Sequence, residues 1–333
     1  MPIEELKRGR KKSPRNKTID FPLDSEDGKK YSSLSPREED IASGYNIYDK
    51  MFCGDTFGVC RRLPRAFADL IIVDPPYNIT KNYHGNRFGA SSEEEYREFT
   101  RRWLDAVLPC LKPNGTVYVC CDWQSGMIIS DELQNNLCLR GRITWQREKG
   151  RGAESNWKNC MEDIWYATAS DEFKFNLDSV KMRRRVLAPY KKDGIPKDWT
   201  ETADGKFRDT CPSNFWDDIS IPYWSMAENT AHPTQKPEKL LAKLILASTD
   251  KGDVVFDPFG GSGSTAAVAK KLERRFVSIE QNPLYCAWAE KRLELAETDK
   301  TVQGFSDGVF WERNTANYIL EKARKRAKNT QDF

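Results

Sequence analysis

The chain has 333 residues, of which 38% are hydrophobic and 31% charged, and its formal net charge is +3. This length and apolar content permit one large α/β domain or a domain with a sizeable insert, and they exclude a chain that is disordered throughout. The sequence has no apolar run near the ~18 residues that span a bilayer, and its first residues lack the apolar core of a signal peptide. We therefore predict a cytoplasmic protein and no membrane partner.

Residues 1–42 are rich in charged residues, Ser and Pro and lack apolar periodicity, which predicts a mostly disordered N-terminal arm. From there, strands and helices alternate as in a mostly parallel sheet. Strands are predicted within 45–55 and at 69–74, 116–122, 142–148 and 162–170. A helix over 91–111 begins with a Ser N-cap signal.

The second half begins with a stretch, 171–229, in which regularity fades. We predict an inserted segment there, outside the core sheet. The elements expected after it are an amphipathic helix over 232–250, a strand, glycine turn, helix and strand over 253–280, a helix over 282–298 and a basic helix near the C-terminus.

The charge is unevenly distributed along the chain. Residues 1–18, 181–199 and 315–328 carry net charges of +5, +5 and +4, so the remainder is acidic. Lys and Arg side chains that neutralise phosphates release counterions, so basic patches on an acidic body favour a polyanionic partner. For the two terminal patches, a solvated tail or helix face is the simpler interpretation.

Cysteine and histidine usage argues against a metal site. The nine cysteines are scattered without a Cys-x-x-Cys pair, and His84 and His232 are the only histidines. Zinc sites and disulfide frameworks need regular spacings of such residues. We predict reduced, mostly buried thiols and no metal, with His232 packing near a helix start rather than acting as a base.

The segment 254–272, VVFDPFGGSGSTAAVAKKL, predicts a nucleotide-type cofactor site. A strand stops at Asp257, and Gly261 and Gly263 precede the next helix, where the missing Cβ permits a sharp turn and close approach of a ligand. Glu280 ends the following strand and is the residue type that binds ribose hydroxyls. The Gly-x-Gly-x-x-Ala pattern also fits a dinucleotide fingerprint, so an NAD-dependent oxidoreductase is a rival, although 250 residues precede the pattern.

The stretch LIIVDPPYNIT ends a strand-like run in Asp74, Pro75, Pro76 and Tyr77. Proline fixes φ and keeps the preceding residue extended, so this corner would present the Asp74 carboxylate and the Pro75 carbonyl as acceptors beside an aromatic face. Such a set suits a planar ring with an NH₂ group, because hydrogen bonds to both acceptors would localise its lone pair. Parallel strands end at one edge of a sheet, so we expect Asp74 and Asp257 to share a cleft.

Three motifs in order, DPPY at 74–77, HPTQKP at 232–237 and DPFGGSGST at 257–265, resemble the β group of DNA amino-methyltransferases. The resemblance covers residues 45–298. It implies a Rossmann-like α/β methyltransferase fold, a mostly parallel sheet with helices on both faces, and a small inserted target-recognition segment. The implied divisions are an arm over 1–42, a catalytic half over 43–170, the recognition insert over 171–229, an S-adenosylmethionine-binding half over 230–298 and a C-terminal extension over 299–333.

The resemblance also implies roles for individual residues. The catalytic motif corresponds to Asp74, Pro75, Pro76 and Tyr77. The cofactor-binding positions correspond to Asp55, Thr234, Lys236, Pro237, Asp257, Phe259, Gly261, Gly263 and Glu280. The chain departs mildly at Gly260, where family members often have another residue, and this should not affect binding.

The implied reaction is methyl transfer from S-adenosylmethionine to the exocyclic N6 of an adenine flipped out of double-stranded DNA. Cytosine N4 is the alternative target atom, and a non-catalytic DNA-binding module is the alternative of another class, disfavoured by the intact motifs. The predicted DNA contacts are Asn78, Lys81 and Arg87 in the loop after the catalytic motif, and Arg183, Arg184, Arg185, Lys191 and Lys192 in the insert. A homodimer and a cognate restriction endonuclease are candidate protein partners, and action on DNA implies association with the nucleoid in the cytoplasm.

Overall fold

The computed structural model of the chain describes residues 14–78, 81–83, 86–88, 91–147, 155–187, 189–202 and 205–312. Its helices are α1 (Glu26–Ser32), α2 (Thr56–Cys60), α3 (Glu93–Val107), α4 (Trp123–Gln134), α5 (Glu238–Ser248), α6 (Ser264–Lys271) and α7 (Pro283–Thr298). Its strands are β1 (Lys50–Cys53), β2 (Ala68–Val73), β3 (Lys81–Tyr83), β4 (Asn86–Phe88), β5 (Leu111–Cys121), β6 (Cys138–Gln146), β7 (Met161–Thr168), β8 (Met182–Arg185), β9 (Lys191–Lys192), β10 (Ile195–Pro196), β11 (Thr200–Thr202), β12 (Gly205–Thr210), β13 (Phe215–Trp216), β14 (Val254–Asp257), β15 (Arg275–Glu280), β16 (Phe305–Ser306) and β17 (Val309–Trp311).

Within these residues, eight strands form one sheet in the order β1-β15-β14-β2-β5-β7-β6-β13. Every neighbouring pair is parallel except the two pairs that include β7, which confirms the predicted mostly parallel sheet. The chain proceeds from β2 toward β5 and from β14 toward β15, which lie on opposite sides. The boundary between β14 and β2 is therefore the switch point at which open parallel sheets bind ligands.

Helices cover both faces of this sheet, as predicted. Side chains alternate along a strand: Leu70 and Ile72 of β2 belong to a core that includes residues of α5, α6 and α7. The intervening Ile71 and Val73 belong to a second core that includes residues of α3 and α4. Because both faces are covered, residues 70–73 of β2 form a continuous apolar run.

The predicted α3 is present, whereas α4 is an element that the sequence did not suggest. Ser92 caps α3 in a capping box with Glu95, as its sequence signal indicated. Asp122 caps α4 by accepting the backbone N–H groups of Gln124 and Ser125.

The predicted amphipathic helix over 232–250 is shorter than expected and is not amphipathic. HPTQKP is a loop, and α5 begins only after Pro237. Every residue of α5 is buried. Its two interior lysines, Lys239 and Lys243, both pair with the buried Asp218, so the apparent polar face contacts protein instead of water.

The insert is more regular than its sequence indicates. A five-stranded sheet runs in the order β11-β12-β8-β17-β16. Its strand β17 comes from the C-terminal extension, with Phe310 paired to Met182 of β8. The two-residue β13 joins the main sheet beside β6, contrary to the expectation that no insert residue would do so. The predicted C-terminal basic helix lies outside the described residues.

The expectation of a disordered N-terminal arm is wrong for residues 14–42. Ile19 forms a parallel bridge with Thr230, and α1 packs along α7. Tyr31 on α1 is only 1% exposed, and its hydroxyl hydrogen-bonds Glu294. Isolated anchors of this kind leave no periodicity in the sequence. Across the part of the chain that the structure describes, no helix has the length and apolar content to cross a bilayer.

Candidate active site

A cavity of about 270 Å³ lies at the carboxyl ends of β2 and β14. Its lining includes residues 74–77 and residues 257–262. The two strands are hydrogen-bonded neighbours, with Val255 opposite Leu70, so segments separated by 183 residues in sequence meet at one edge. The structure thus brings both predicted motifs into one cavity.

Two neighbours hold the Asp74 carboxylate. The Tyr77 hydroxyl donates to Oδ1 at 2.9 Å, and Lys236 Nζ lies 2.7 Å from both Oδ1 and Oδ2. Burial alone would lower the pKa of Lys236, but the carboxylates of Asp74 and Glu162 outweigh it and raise that pKa well above its usual value. Lys236, predicted beside the cofactor, is therefore an ammonium group bound to the carboxylate of the catalytic motif.

Glu162, at the start of β7, is a lining residue that the sequence reasoning missed. Its Oε2 lies 3.3 Å from Lys236 Nζ and accepts a hydrogen bond from the Tyr77 hydroxyl at 3.4 Å, while Arg147 binds Oε1. The carboxyl ends of parallel strands were the predicted source of site residues. Because β7 is antiparallel, its first residues lie at that edge instead.

The corner after β2 is fixed from two sides. The Tyr96 hydroxyl donates to the Pro76 carbonyl at 3.1 Å. Asn78, predicted as a DNA contact, joins both ends of the following loop, because its side chain accepts the Ser91 N–H at 2.7 Å and donates to the Ser91 carbonyl at 3.0 Å. Lys81 and Arg87, two other predicted DNA contacts, lie on the paired strands β3 and β4.

The glycine turn between β14 and α6 needs its glycines for conformation and for space. Gly261 has φ +52° and Gly263 has φ +71°, both in the left-handed region that glycine favours. A Cβ on Gly263 would lie 2.6 Å from the Cβ of Ala289 on α7. Glu280 closes the turn from β15, because its carboxylate accepts the N–H groups of Gly261 at 3.0 Å and Asn282 at 2.7 Å.

Gly260, the position at which the chain departs from the family pattern, is also constrained. A Cβ there would lie 2.2 Å from the Ser278 hydroxyl oxygen and 3.0 Å from the Met51 methyl group. Ser278 is buried in β15, directly opposite Met51 of β1. The space that another side chain would use at position 260 is occupied by Ser278 in this protein.

The cavity is strongly acidic. Five carboxylates are among its lining residues: Asp55, Asp74, Glu162, Asp257 and Glu280. Burial raises the pKa of Asp257 and of Glu280 to about 7. Asp55 also caps α2 by accepting the Gly58 N–H at 3.0 Å. The lining has more carboxylates than ammonium groups, and this excess favours a cationic ligand over an anionic one.

Of the other predicted cofactor positions, Phe259 and Thr234 line the same cavity, whereas Pro237 is not among its lining residues. Phe259 lines it and packs edge-on against Trp103 at 6.4 Å between ring centroids. Thr234 lines it from the HPTQKP loop, with its N–H donating to His232 Nδ1 at 3.3 Å. The His232 ring packs on Tyr285 at 4.4 Å between centroids. Pro237 lies at the N-cap of α5.

The comparison with known families agrees with this geometry. The family model N6_N4_Mtase, described as DNA methylase, matches residues 68–291. The chain belongs to this DNA methylase family. The predicted family, methyltransferase class and fold are confirmed.

Curated relatives match most of this methylase. Type II methyltransferase M.HpaI of Haemophilus parainfluenzae is 32% identical over 248 residues, which cover 74% of each chain. DNA adenine methyltransferase YhdJ of Escherichia coli K12 is 32% identical over 254 residues, covering 73% of this methylase and 82% of YhdJ. Among solved structures, the cytosine-N4-specific PvuII DNA methyltransferase has the same fold, with a TM-score of 0.56, 18% identity and coverage of 81% of this chain and 91% of that one.

The methylase holds its predicted DNA-contacting cations in the insert in two ways. Arg183 is engaged with Asp209 in a bidentate pair, with both N–O distances at 2.7 Å. This pairing follows from the register of β8 and β12, which places the two residues opposite each other. Arg183 is thus a cross-strand ion-pair partner, which the sequence did not predict. Lys191 and Lys192 lie exposed on β9.

The remaining two arginines of that group lie at the exposed end of β8. Arg184 has its Nε 3.9 Å from a carboxylate oxygen of Glu312. Arg185 ends the strand and is exposed.

Proposed function

We propose that the protein transfers a methyl group from S-adenosylmethionine to the exocyclic N6 of an adenine in double-stranded DNA. The observation that carries this proposal is the single cavity lined by the acceptor corner of residues 74–77 and by residues 260–262 of the glycine turn. A methyl donor held at the turn would face an amine held at the corner. Adenine is the preferred base because the relative YhdJ is described as a DNA adenine methyltransferase.

The lining of the cavity supports S-adenosylmethionine over NAD. The left-handed turn at Gly261 and Gly263 leaves the backbone open to a ligand, and Glu280 offers a carboxylate at the end of β15 for ribose hydroxyls. The pyrophosphate of NAD is anionic and would meet five carboxylates. S-adenosylmethionine is cationic at sulfur, so the same carboxylates attract it.

The acceptor corner can activate an amine. When bound, S-adenosylmethionine supplies a methyl group activated by its cationic sulfur. The Asp74 carboxylate and the Pro75 carbonyl accept hydrogen bonds from the NH₂ group, which localises its lone pair, and the Tyr77 ring stacks on the base. Positive charge then develops on N6, and the Asp74 carboxylate stabilises it and can accept the released proton.

DNA is the substrate class of the family, and the insert is the proposed recognition element. We infer that Arg184, Arg185, Lys191 and Lys192 contact phosphates or base edges, because they are exposed and basic. We also retain a homodimer, a cognate restriction endonuclease and action at the nucleoid as proposals motivated by the family. Sedimentation of the chain with and without DNA tests the dimer.

The proposed reaction is tested by incubating the protein with methyl-labelled S-adenosylmethionine and unmethylated DNA. The DNA is then digested to nucleosides and the label is assigned by mass spectrometry. We expect N6-methyladenine at one short sequence. Label in N4-methylcytosine would instead identify cytosine N4 as the target atom. DNA that is bound but carries no label would indicate a non-catalytic DNA-binding module.

A further inference from the structure

The Lys236 ammonium lies between the partly buried carboxylate of Asp74 and the buried carboxylate of Glu162. Its Nζ is 2.7 Å from both oxygens of Asp74 and 3.3 Å from Oε2 of Glu162. The side chains of Lys236 and Glu162 are 9% and 8% exposed, so water screens neither charge effectively. Lys236 is thus bound to Asp74 and already within ion-pair distance of a second carboxylate.

This resting arrangement conflicts with the proposed chemistry. Asp74 acts by accepting a hydrogen bond from N6 and by stabilising the positive charge that develops there. An ammonium group bound to both oxygens of Asp74 competes with the N6 amine for these acceptors and neutralises the negative charge of the carboxylate. Lys236 must therefore loosen its contact with Asp74 before methyl transfer becomes fast.

Glu162 is placed to receive it. Movement of Nζ by roughly 0.5 Å toward Oε2 would give the ~2.8 Å of a charge-assisted hydrogen bond. Arg147 holds Oε1, which keeps Oε2 directed toward Lys236 and Tyr77. An acceptor that is already oriented takes the ammonium without reorganisation of the cavity.

We propose that Glu162 is a positioning residue that takes over the Lys236 ammonium when the target base enters, leaving the Asp74 carboxylate to the amine. This inference rests on the proposed methyl transfer. It assigns a function to a residue of the antiparallel strand β7 and gives Lys236 a role toward the catalytic carboxylate.

A double-mutant cycle in single-turnover methyl transfer tests it. Glu162→Gln removes the charge at nearly constant shape and should lower the rate roughly 10- to 100-fold, the range of a charged hydrogen bond, with little change in the dissociation constant of S-adenosylmethionine. Lys236→Met removes the ammonium group that Glu162 is proposed to bind. In a Lys236→Met background, Glu162→Gln should therefore change the rate less than about threefold.

The controls separate positioning from general damage. Glu132→Gln removes a different buried carboxylate, which lies on α4 and pairs with Arg97 and Arg101 of α3. This substitution should leave the rate of methyl transfer unchanged. An equal loss from Glu162→Gln in both backgrounds, or an undiminished rate, would overturn the inference. If E162Q fails to bind S-adenosylmethionine, the cycle is run with Glu162→Asp, with the same expected dependence on Lys236. Absence of transfer by the unaltered protein would instead refute the proposed function.

Discussion

The cavity edge of the main sheet and the small sheet of the insert hold their charges in opposite ways. At the cavity, Lys236 and Glu162 are less than 10% exposed and share fixed partners. In the insert, Lys191 and Lys192 lie exposed on a two-residue strand. Buried charges need partners at set distances, whereas exposed charges act through solvent and counterions. Substitutions should therefore change rate in the first region and DNA affinity in the second.

The largest expected effect is the loss of the Asp74 charge. Asp74→Asn keeps the shape of the side chain but removes the carboxylate that stabilises charge on N6, and it should lower methyl transfer by a factor on the order of 10³. Binding of S-adenosylmethionine, measured by calorimetry, should change little. The matched control is Asp178→Asn, which changes an aspartate that is 90% exposed and pairs with Lys181 at the surface. A turnover of Asp74→Asn close to that of the control would remove Asp74 from the mechanism.

The next effect concerns the glycine turn. Gly263→Ala should destabilise the fold by about 2 kcal/mol and weaken S-adenosylmethionine binding, because the new Cβ meets Ala289 at 2.6 Å and φ is +71°. Gly194→Ala is the matched control, since φ is +80° there but no atom of the described residues lies within 4 Å of the new Cβ. Urea unfolding of both variants isolates the steric contribution. Equal losses of stability in the two variants would mean that the positive φ alone, and not the contact with Ala289, requires glycine at position 263.

The dependence of cofactor binding on pH follows from the two acids whose pKa values lie near 7. Asp257 and Glu280 are neutral below that pH and negative above it, so the affinity for a cationic ligand should rise by up to about tenfold per pH unit and per group as the pH approaches 7 from below, and should level off above 7. Glu280→Gln should reduce this slope in titrations by calorimetry. If Glu280→Gln leaves the pH dependence of cofactor affinity unchanged, that dependence comes from groups other than Glu280.

The contribution of Asp257 and Glu280 to the stability of the ligand-free protein should decrease as pH rises, which is opposite to their effect on cofactor affinity. Because burial raises both folded pKa values above the unfolded ones, the folded state binds more protons between about pH 4 and 7. The contribution of these groups to stability is therefore greatest below pH 4 and decreases as pH rises toward 7. Opposite pH trends for binding and for unfolding would distinguish these acids from groups that simply stabilise the fold.

The sequence predicted the cavity well because its signals are local. One strand is followed by Asp74 and two prolines, and another ends at Asp257 before a run of glycines. Proline fixes φ and glycine permits positive φ, so both turns can be predicted from the local sequence. The rule that parallel strands end at one edge then placed the two together. None of these steps required knowledge of a distant side-chain contact.

The missed features all depend on partners that are distant in sequence. Glu162 reaches the cavity because β7 runs antiparallel between β5 and β6, which no motif announces. Lys239 and Lys243 look like a solvated helix face until Asp218 is placed against them. Ion pairing, strand direction and register are tertiary properties, and neither periodicity nor composition contains them.

The smallest expected effect is in the insert, and it separates its two kinds of cation. Lys191→Ala and Lys192→Ala should each weaken DNA binding a few-fold and lower the slope of log affinity against log salt by about one, without changing the single-turnover rate. Arg183→Ala should instead lower stability, because it leaves Asp209 without its bidentate partner across β8 and β12. Fluorescence anisotropy over a salt series measures the first effect and thermal unfolding the second. If Arg183→Ala reduced the salt slope as the lysine variants do, the pair with Asp209 would have to open on DNA, and the contrast between fixed and exposed charges would hold only for the free protein.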